Sequence, residues 1–275
     1  MKESVYNTDS KFSYKKINIE LNNFLKIYNN RPIKNNVGGC QINHAFALYC
    51  ILKKIKPKLV IESGVYKGQT TWLIEKTLPK AKLICIDIDL SQRKYISKKA
   101  QYSNIDFKFH DFSKIPVNTL VFFDDHINHL NRLKEANFFG IKNIILEDNY
   151  NYKSGDFQTI KQLFENHKFI HSESYFSYLK TLFIFLIVII KKNILNKYNA
   201  YEDIDKINNR IRDYSFHKGY SNNIKKKISV YFEFPPLIKL KMKTKKPLFK
   251  KIHVNLNKFL NELKFYNYIT FIKLK

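Results

Sequence analysis

Short aliphatic and aromatic runs alternate with helical segments between residues 58 and 149 of the chain. The runs are nearly continuous, which is typical of strands that are buried on both faces of a parallel sheet. Five strands are predicted, at Lys58–Glu62, Lys82–Asp87, Ile105–Phe109, Thr119–Phe123 and Asn143–Leu146. The helices predicted between them are Gln69–Leu78, a Lys/Tyr-rich segment before the third strand, and His126–Phe139, which ends at Gly140. This alternation predicts a doubly wound α/β fold with a mostly parallel, Rossmann-like sheet.

The segments on either side of this core have less regular patterns. Residues 1–50 are predicted to form helices that precede the sheet, with a turn at Gly38–Gly39. The Rossmann-like core is assigned to residues 51–165, and its last helix, Phe157–Asn166, is predicted to have Asp156 as its N-cap. Residues 166–275 form a C-terminal extension, with candidate strands at Ile228–Phe234 and Tyr266–Leu274.

Candidate ligand-binding residues follow the first two predicted strands. In open α/β sheets, ligands bind beyond the carboxyl ends of the strands, near the point where the strand order reverses. Two of only seven glycines, Gly64 and Gly68, lie in the turn after the first strand, where a close ligand approach needs residues without a Cβ. Asp87 ends the second strand and can accept both hydroxyls of a ribose. The predicted cofactor-binding set is Glu62, Gly64, Gly68, Thr70, Asp87 and Asp111, the last of which follows the predicted third strand.

The sequence of this turn discriminates between nucleoside cofactors. A dinucleotide requires a G-x-G-x-x-G turn, and Tyr66 stands here in the position of the second glycine. A diphosphate would also be repelled by Glu62. S-adenosylmethionine has no phosphate and carries a sulfonium and an ammonium, so an acidic residue at the first position suits it. The alternative is a glycine-containing turn that binds no ligand.

Acidic residues follow the fourth and fifth predicted strands. Asp125 and the pair Glu147–Asp148 are expected to lie side by side, with Asp124 as the substitute ligand if the register shifts by one. Three close carboxylates cannot all stay ionised without a cation, and oxygen ligands favour Mg²⁺, Mn²⁺ or Ca²⁺ over zinc. The alternative is that an aspartate caps the following helix and that Glu147–Asp148 belongs to a polar turn.

These motifs resemble those of the class I S-adenosylmethionine-dependent methyltransferases over about residues 30–165. The similarity is to the branch of macrocin-type sugar O-methyltransferases and cephalosporin hydroxylase-like proteins. It rests on E-x-G-x-x-x-G-[ST/Q]-T at Glu62–Thr70, on the acidic strand end Asp87, and on Asp125 with Glu147–Asp148. The resemblance implies that the turn and Asp87 hold the cofactor, and that the later acids hold a divalent metal that orients the substrate hydroxyls.

Two histidines after the fourth strand are candidate catalytic bases. His126 or His129 could accept a proton from a substrate hydroxyl, and the alternative is that both lie on the face of a helix. The branch usually places its histidine two or three residues after the aspartate. The run here is Asp124-Asp125-His126-Ile127-Asn128-His129, so the register of both the ligand and the base is left open.

The formal charge of +26 suggests an anionic partner such as nucleic acid or a membrane. Only five of the 49 basic residues are arginine, however, and arginine is preferred for bidentate contacts to phosphates and bases. An AT-rich coding sequence produces such a lysine excess without any ligand, so nucleic-acid binding is not expected. Residues 191–275 hold 21 basic and 6 acidic residues, and this asymmetry needs a separate explanation.

The run Leu182–Ile190 is hydrophobic on all sides but spans only nine residues, where a membrane-crossing helix needs about twenty. Burial in a core, contact with another subunit, and peripheral contact with anionic lipid through the neighbouring lysines are the three interpretations. Low cysteine content and the absence of an N-terminal apolar segment predict a reducing, cytoplasmic location.

The chain is therefore expected to be an enzyme that methylates a hydroxyl of a sugar or other small molecule, with S-adenosylmethionine as cofactor and Mg²⁺ or Mn²⁺ as an additional requirement. The alternative is a non-catalytic Rossmann-like protein that binds a ligand and associates with a membrane or polyanion through its basic C-terminal region. A third interpretation is a different enzyme on the same scaffold, because a fold does not determine its chemistry.

Overall fold

The computed structural model describes residues 14–151, 154–165, 218–240 and 246–275. The chain divides into two compact units. The first contains the residues up to His126, together with Asn131–Asn149 and Ile228–Lys275. The second contains Ile127–Leu130 and Tyr150–Lys227.

One seven-stranded sheet forms the centre of the first unit. Its strands are β1 (Leu59–Ser63), β2 (Lys82–Ile86), β3 (Ala100–Ser103), β4 (Thr119–Phe123), β5 (Asn143–Leu146), β6 (Ile228–Glu233) and β7 (Thr270–Leu274). The order across the sheet is β3-β2-β1-β4-β5-β7-β6. Strands β1 to β5 are parallel, and β7 is antiparallel to both of its neighbours. The fold is therefore the predicted Rossmann-like α/β fold, with its order reversing between β1 and β4.

The register aligns the carboxyl ends of the four central parallel strands. Ser63 at the end of β1 pairs with Ile86 of β2 and with Phe123 of β4. Phe123 in turn pairs with Leu146 of β5. The residues that follow these four strands therefore emerge at one edge of the sheet, on both sides of the point where the strand order reverses.

Among the described residues, four α-helices accompany the sheet: α1 (Tyr14–Tyr28), α2 (Ile42–Ile55), α3 (Gln69–Thr77) and α4 (His129–Phe138). Helix α2 is buried from Ile42 to Leu52 because nearly all of its positions are apolar. Phe46 of α2 packs against Phe24 of α1 and against Phe234, which follows β6. The N-terminal helices and the C-terminal strands thus share one hydrophobic core with the sheet.

The predicted first, second, fourth and fifth strands are confirmed to within a residue or two at each end, but the third is wrong. Strand β3 lies at Ala100–Ser103, and the last three residues of the predicted strand Ile105–Phe109 form a single 3₁₀ turn at Phe107–Phe109. The Asp106 side chain accepts a hydrogen bond from the amide of Lys108, and the ring of Phe107 is buried against Phe123. This local cap and the burial of one aromatic ring override the strand-like pattern.

The Lys/Tyr-rich segment before β3 is not a helix. The amides of Lys94 and Tyr95 both donate to the carbonyl oxygen of Lys67, at 3.0 and 3.1 Å. The Tyr95 hydroxyl donates to Glu75 on α3 at 2.8 Å. Long-range hydrogen bonds to the turn after β1 therefore take the place of helical ones.

The second unit contains helices α5 (Ile160–Glu165) and α6 (Lys218–Lys227). The predicted N-cap of α5, Asp156, is wrong, because α5 begins at Ile160. Thr159 and Gln162 form the cap: the Thr159 hydroxyl accepts from the Gln162 amide, and the Gln162 side chain accepts from the Thr159 amide. This reciprocal pair is a capping box, and its signal was present in the sequence.

The apolar run Leu182–Ile190 and the lysines beside it lie outside the described residues, as do residues 241–245 of the later lysine series. Within the described residues, no helix is long and apolar enough to cross a membrane. Cys40, Cys50 and Cys85 are buried and are not joined in disulfides.

Candidate functional site

The turn between β1 and α3 needs glycine at two positions. Gly64 has a φ of 95°, and a Cβ there would clash with the backbone oxygen of Asp124, which follows β4. Gly68 has a φ of 84°, and a Cβ there would clash with the backbone oxygen of Tyr95. Positive φ and lack of space together exclude a side chain at either position. The turn after β1 is thus packed directly against the backbone after β4.

Asp87, at the end of β2, holds this turn in place. Its Oδ2 accepts hydrogen bonds from the amides of Val65 at 2.8 Å and Tyr66 at 2.9 Å. Its Oδ1 accepts from the amide of Asp89 at 3.0 Å. The predicted role of Asp87 toward a ribose stays a prediction, but the structure adds a second role, because the carboxylate also fixes the backbone of the turn.

Glu62 is the last residue but one of β1, and its side chain is 0% exposed. Its Oε2 accepts from the Thr71 hydroxyl at 2.6 Å and from the Cys85 thiol at 3.2 Å. Burial raises the pKa of Glu62 to about 7, although the hydroxyls of Thr70 and Thr71 oppose the rise. Oε1 is buried and has no hydrogen-bond partner among the described residues. Thr70, also predicted to bind cofactor, is buried beside this carboxyl.

Gln69, the first residue of α3, was missed by the sequence reasoning. Its Oε1 accepts from the amide of Ile33 at 3.3 Å. Its Nε2 is buried and, within the described part of the chain, has no hydrogen-bond acceptor. Two buried polar atoms beside the turn, an acceptor on Glu62 and a donor on Gln69, are therefore left unsatisfied by the described residues.

Asp111 does not lie at the end of a strand, because the predicted third strand is misplaced. It is exposed, and its carboxylate accepts from the amide of Ser113 at 2.9 Å in a local turn. The structure therefore offers no support for the expectation that Asp111 contacts a cofactor.

Three carboxyl groups meet where β4 and β5 end: Asp124, Glu147 and Asp148. Burial and the adjacent Glu147 and Asp148 raise the pKa of Asp124 well above its usual range. Burial and Asp148 likewise raise the pKa of Glu147. Such shifts are what close carboxyl groups without a counter-charge show. We call these three residues the acid cluster.

Asp125, the predicted metal ligand, belongs to a different group of charges. Its Oδ2 accepts from the Ser63 hydroxyl at 2.5 Å and lies 2.9 Å from Nε of Arg132. Arg132 is 2% exposed and also pairs with Asp106 at 2.8 Å and with Glu135 at 2.7 Å. The substitute ligand Asp124 is therefore the residue that lies with Glu147 and Asp148.

His44 on α2 reaches the acid cluster from a distant part of the chain. Its Nδ1 lies 2.6 Å from Oε1 of Glu147, and its Nε2 accepts from the backbone amide of Asn267 at 2.9 Å. The Asn267 side chain donates to Oδ1 of Asp148 at 2.9 Å. One ligand-type atom from each of His44, Glu147 and Asp148 lies within 4.8 Å of the others. Nothing in the local sequence distinguishes His44 from the core residues of its helix, so sequence reasoning did not find it.

The two predicted catalytic histidines have different surroundings. His126 is 48% exposed, and its Nε2 lies 3.9 Å from Oδ2 of Asp148. His129 is buried, and its ring packs against Phe157 within the second unit. The structure therefore places His126 beside the acid cluster in a position that a solvent molecule or a substrate could reach. The role of either histidine stays a prediction.

Backbone strain is concentrated at this edge of the sheet. Three non-glycine residues have positive φ immediately after β1, β4 and β5: Tyr66 at 48°, His126 at 55° and Asp148 at 52°. Such conformations are unfavourable for residues with a Cβ, and they are enriched at binding and catalytic sites.

Neither a protein-family model nor a curated protein matches the chain. Solved structures do match it. CmcI bound to SAH is 21% identical, over 40% of this chain and 62% of that chain, with a TM-score of 0.36. CmcI with Mg-SAM is 20% identical, over 45% and 65% of the two chains, with a TM-score of 0.31. The SAH-bound methyltransferase PaMTH1 of Podospora anserina is 10% identical over the full length of both chains, with a TM-score of 0.44.

The chain spans 59–65% of the length of the CmcI structures that it matches. The likeness therefore extends over less than two thirds of that protein.

Proposed function

We propose that this protein is a class I S-adenosylmethionine-dependent methyltransferase that methylates a hydroxyl group of a sugar or another small polyol-like molecule, assisted by a divalent metal. One observation carries the proposal: the glycine turn after β1 is packed against the backbone of Asp124, the first residue of the acid cluster. A cofactor held by the turn and a hydroxyl held at the acid cluster would therefore be neighbours. A seven-stranded, mostly parallel sheet of this order is consistent with such a fold.

The turn fits the amino-acid part of S-adenosylmethionine. That part of the molecule carries an ammonium, which donates hydrogen bonds, and a carboxylate, which accepts them. The unsatisfied Oε1 of Glu62 is an acceptor, and the unsatisfied Nε2 of Gln69 is a donor at the start of α3. Because a buried polar atom without a partner costs about 1–3 kcal/mol, a ligand that satisfies both atoms gains that energy on binding. A dinucleotide would instead bring phosphates close to the Glu62 carboxyl.

The acid cluster fits a hard divalent cation. Asp124, Glu147 and Asp148 offer oxygen ligands only, which Mg²⁺ and Mn²⁺ prefer. Burial is the main cause of the raised pKa values of Asp124 and Glu147, and the charge of Asp148 adds to both; a cation would stabilise the ionised carboxylates. These three residues would hold the metal, while Asp125 stays paired with Arg132.

When bound, S-adenosylmethionine would supply an activated methyl group to the hydroxyl oxygen and leave as S-adenosylhomocysteine, and a metal held by Asp124, Glu147 and Asp148 would lower the pKa of the substrate hydroxyl. The residues of the chain mainly orient the two reactants, which is the principal source of rate in such a displacement. Asp87 holds the turn by its bonds to Val65 and Tyr66, and Arg132 holds Asp125 away from the acid cluster. His126 is positioned to accept the hydroxyl proton, since it is half-exposed beside Asp148.

Titration calorimetry of the full chain with S-adenosylmethionine tests the proposal. We expect binding by the wild type and a loss of about 2 kcal/mol, or roughly 30-fold in affinity, for Asp87→Ala, because charge-assisted hydrogen bonds to the turn are lost. Asp89→Ala is the matched control, because Asp89 is an exposed neighbour that bonds to Ser91 rather than to the turn. Absence of heat with the wild type, or equal affinity for wild type and Asp87→Ala, would contradict the assignment.

A further inference from the structure

We propose that His44 is a positioning residue for the metal: it orients the Glu147 carboxylate, and Asn267 sets the tautomer of His44 and orients Asp148. This inference rests on the metal part of the proposed function. It concerns two residues that lie far from the acid cluster in sequence, one on α2 and one immediately before β7.

The hydrogen bonds of His44 determine which nitrogen carries its proton. A backbone amide can only donate, so Nε2, which receives the Asn267 amide at 2.9 Å, has to be the unprotonated nitrogen. Nδ1 therefore carries the proton and donates to Oε1 of Glu147 at 2.6 Å. Both nitrogens are engaged within the protein, so His44 acts on a metal through Glu147 rather than as a ligand itself.

The segment before β7 supplies the second half of the arrangement. The side chain of Asn267 donates to Oδ1 of Asp148 at 2.9 Å, while its own backbone amide holds His44. The ring of Tyr266 packs edge-on against the imidazole, with the ring centres 5.5 Å apart. Each of two adjacent carboxylates thus has one oxygen held by a donor of the protein, which limits its rotation.

Restricting these carboxylates has a direct consequence for metal binding. Glu147 and Asp148 are both buried, and Asp148 has a strained positive φ, so the cluster is held in one arrangement before any cation arrives. Partners that hold metal ligands in this way typically contribute about 10- to 100-fold to metal affinity. The same partners would contribute little if His44 were only a core residue that happens to touch an acid.

Asn43 provides a matched control on the same helix. It is buried next to His44 and bonds to the same C-terminal segment, through the carbonyl oxygens of Leu263 and Phe265. Its side-chain hydrogen bonds within the described residues go to Leu237, Leu263 and Phe265, and none goes to the acid cluster. Loss of its side chain therefore disturbs the packing of α2 without removing a donor from the acid cluster.

The experiment measures Mn²⁺ affinity by electron paramagnetic resonance, and thermal stability in parallel, for the full chain and its variants. We expect His44→Phe and Asn267→Ala to weaken Mn²⁺ binding by about 10- to 100-fold. His44→Asn keeps an N–H donor near the position of Nδ1, so it should recover most of the affinity. Asn43→Ala should lower the melting temperature while its Mn²⁺ affinity stays that of the wild type.

The inference is overturned if His44→Phe binds Mn²⁺ as tightly as the wild type does. If His44→Phe does not fold, the same result for Asn267→Ala overturns it. Nitrogen hyperfine coupling to bound Mn²⁺ that persists in His126→Ala and disappears in His44→Asn would overturn it too, because it would make His44, and not the neighbouring His126, a direct ligand. If the wild type binds no Mn²⁺, both this inference and the metal part of the proposed function are refuted. Calorimetry with S-adenosylmethionine then reports separately whether the methyltransferase assignment holds.

Discussion

The buried carboxyl of Glu62 makes the stability of the fold depend on pH in a defined window. Its pKa is raised from an ordinary value of 4.5 to about 7, because burial disfavours the charged form. Below about pH 4.5 the group is protonated in both the folded and the unfolded chain. Between about pH 4.5 and 7 only the folded chain keeps the proton, so the free energy of unfolding falls as the pH rises, and above about pH 7 this contribution stays constant.

The size of the effect follows from the two pKa values. At about 1.4 kcal/mol for each unit of pH, raising the pKa from 4.5 to about 7 costs about 3 kcal/mol of stability once the group is ionised. Glu62→Gln is close in shape to the protonated carboxyl and does not titrate. We therefore expect the variant to gain about 2–3 kcal/mol relative to the wild type between pH 5 and pH 8.

Urea unfolding at these two pH values measures the difference directly. Asp111→Asn serves as the control, since Asp111 is an exposed carboxylate whose removal should leave the pH dependence unchanged. A free-energy difference between Glu62→Gln and wild type that is the same at pH 5 and pH 8 would refute the reasoning. A ligand ammonium at Oε1 would lower the pKa of Glu62, so cofactor binding at pH 6 should also release a proton, visible as a dependence of the binding heat on the buffer.

Other predictions follow from contacts at the same edge of the sheet. Arg132→Leu should lower the free energy of unfolding, measured with denaturant, by about 3–5 kcal/mol, because it leaves three partly buried carboxylates without their counter-charge. A loss below about 1 kcal/mol would contradict this. In calorimetry, Asp124→Asn should no longer bind Mn²⁺, whereas Asp125→Asn should bind it as the wild type does. The reverse result would indicate that Asp125 is the ligand. Gly64→Ala should lower the melting temperature more than Gly140→Ala does. Both positions have positive φ, but only at Gly64 would a Cβ meet the backbone of Asp124. Equal melting temperatures would show that this close approach is not required.

The local pattern of the sequence was sufficient for most of the elements. β4 and β5 were predicted to the residue, because a continuous apolar run bounded by polar residues leaves few alternatives for a buried parallel strand. The third strand was misplaced for a tertiary reason. Phe107 is buried against Phe123, and Asp106 pairs with Arg132, which is 26 residues away, so the segment forms a cap and a turn instead of a strand.

The sequence by itself determined most strands of the sheet, the glycine turn, and the presence of acids at the ends of β2, β4 and β5, because hydrophobic periodicity and turn chemistry act over a few residues. Only the tertiary structure shows that Asp124, rather than Asp125, lies beside Glu147. Successive side chains of an extended backbone point to opposite sides, so Asp124 meets Glu147 while Asp125 meets Arg132. His44 lies 103 residues before Glu147 in the chain and forms part of an apolar helix, so its role depends on a contact that exists only after α2 and the segment before β7 have packed against the sheet.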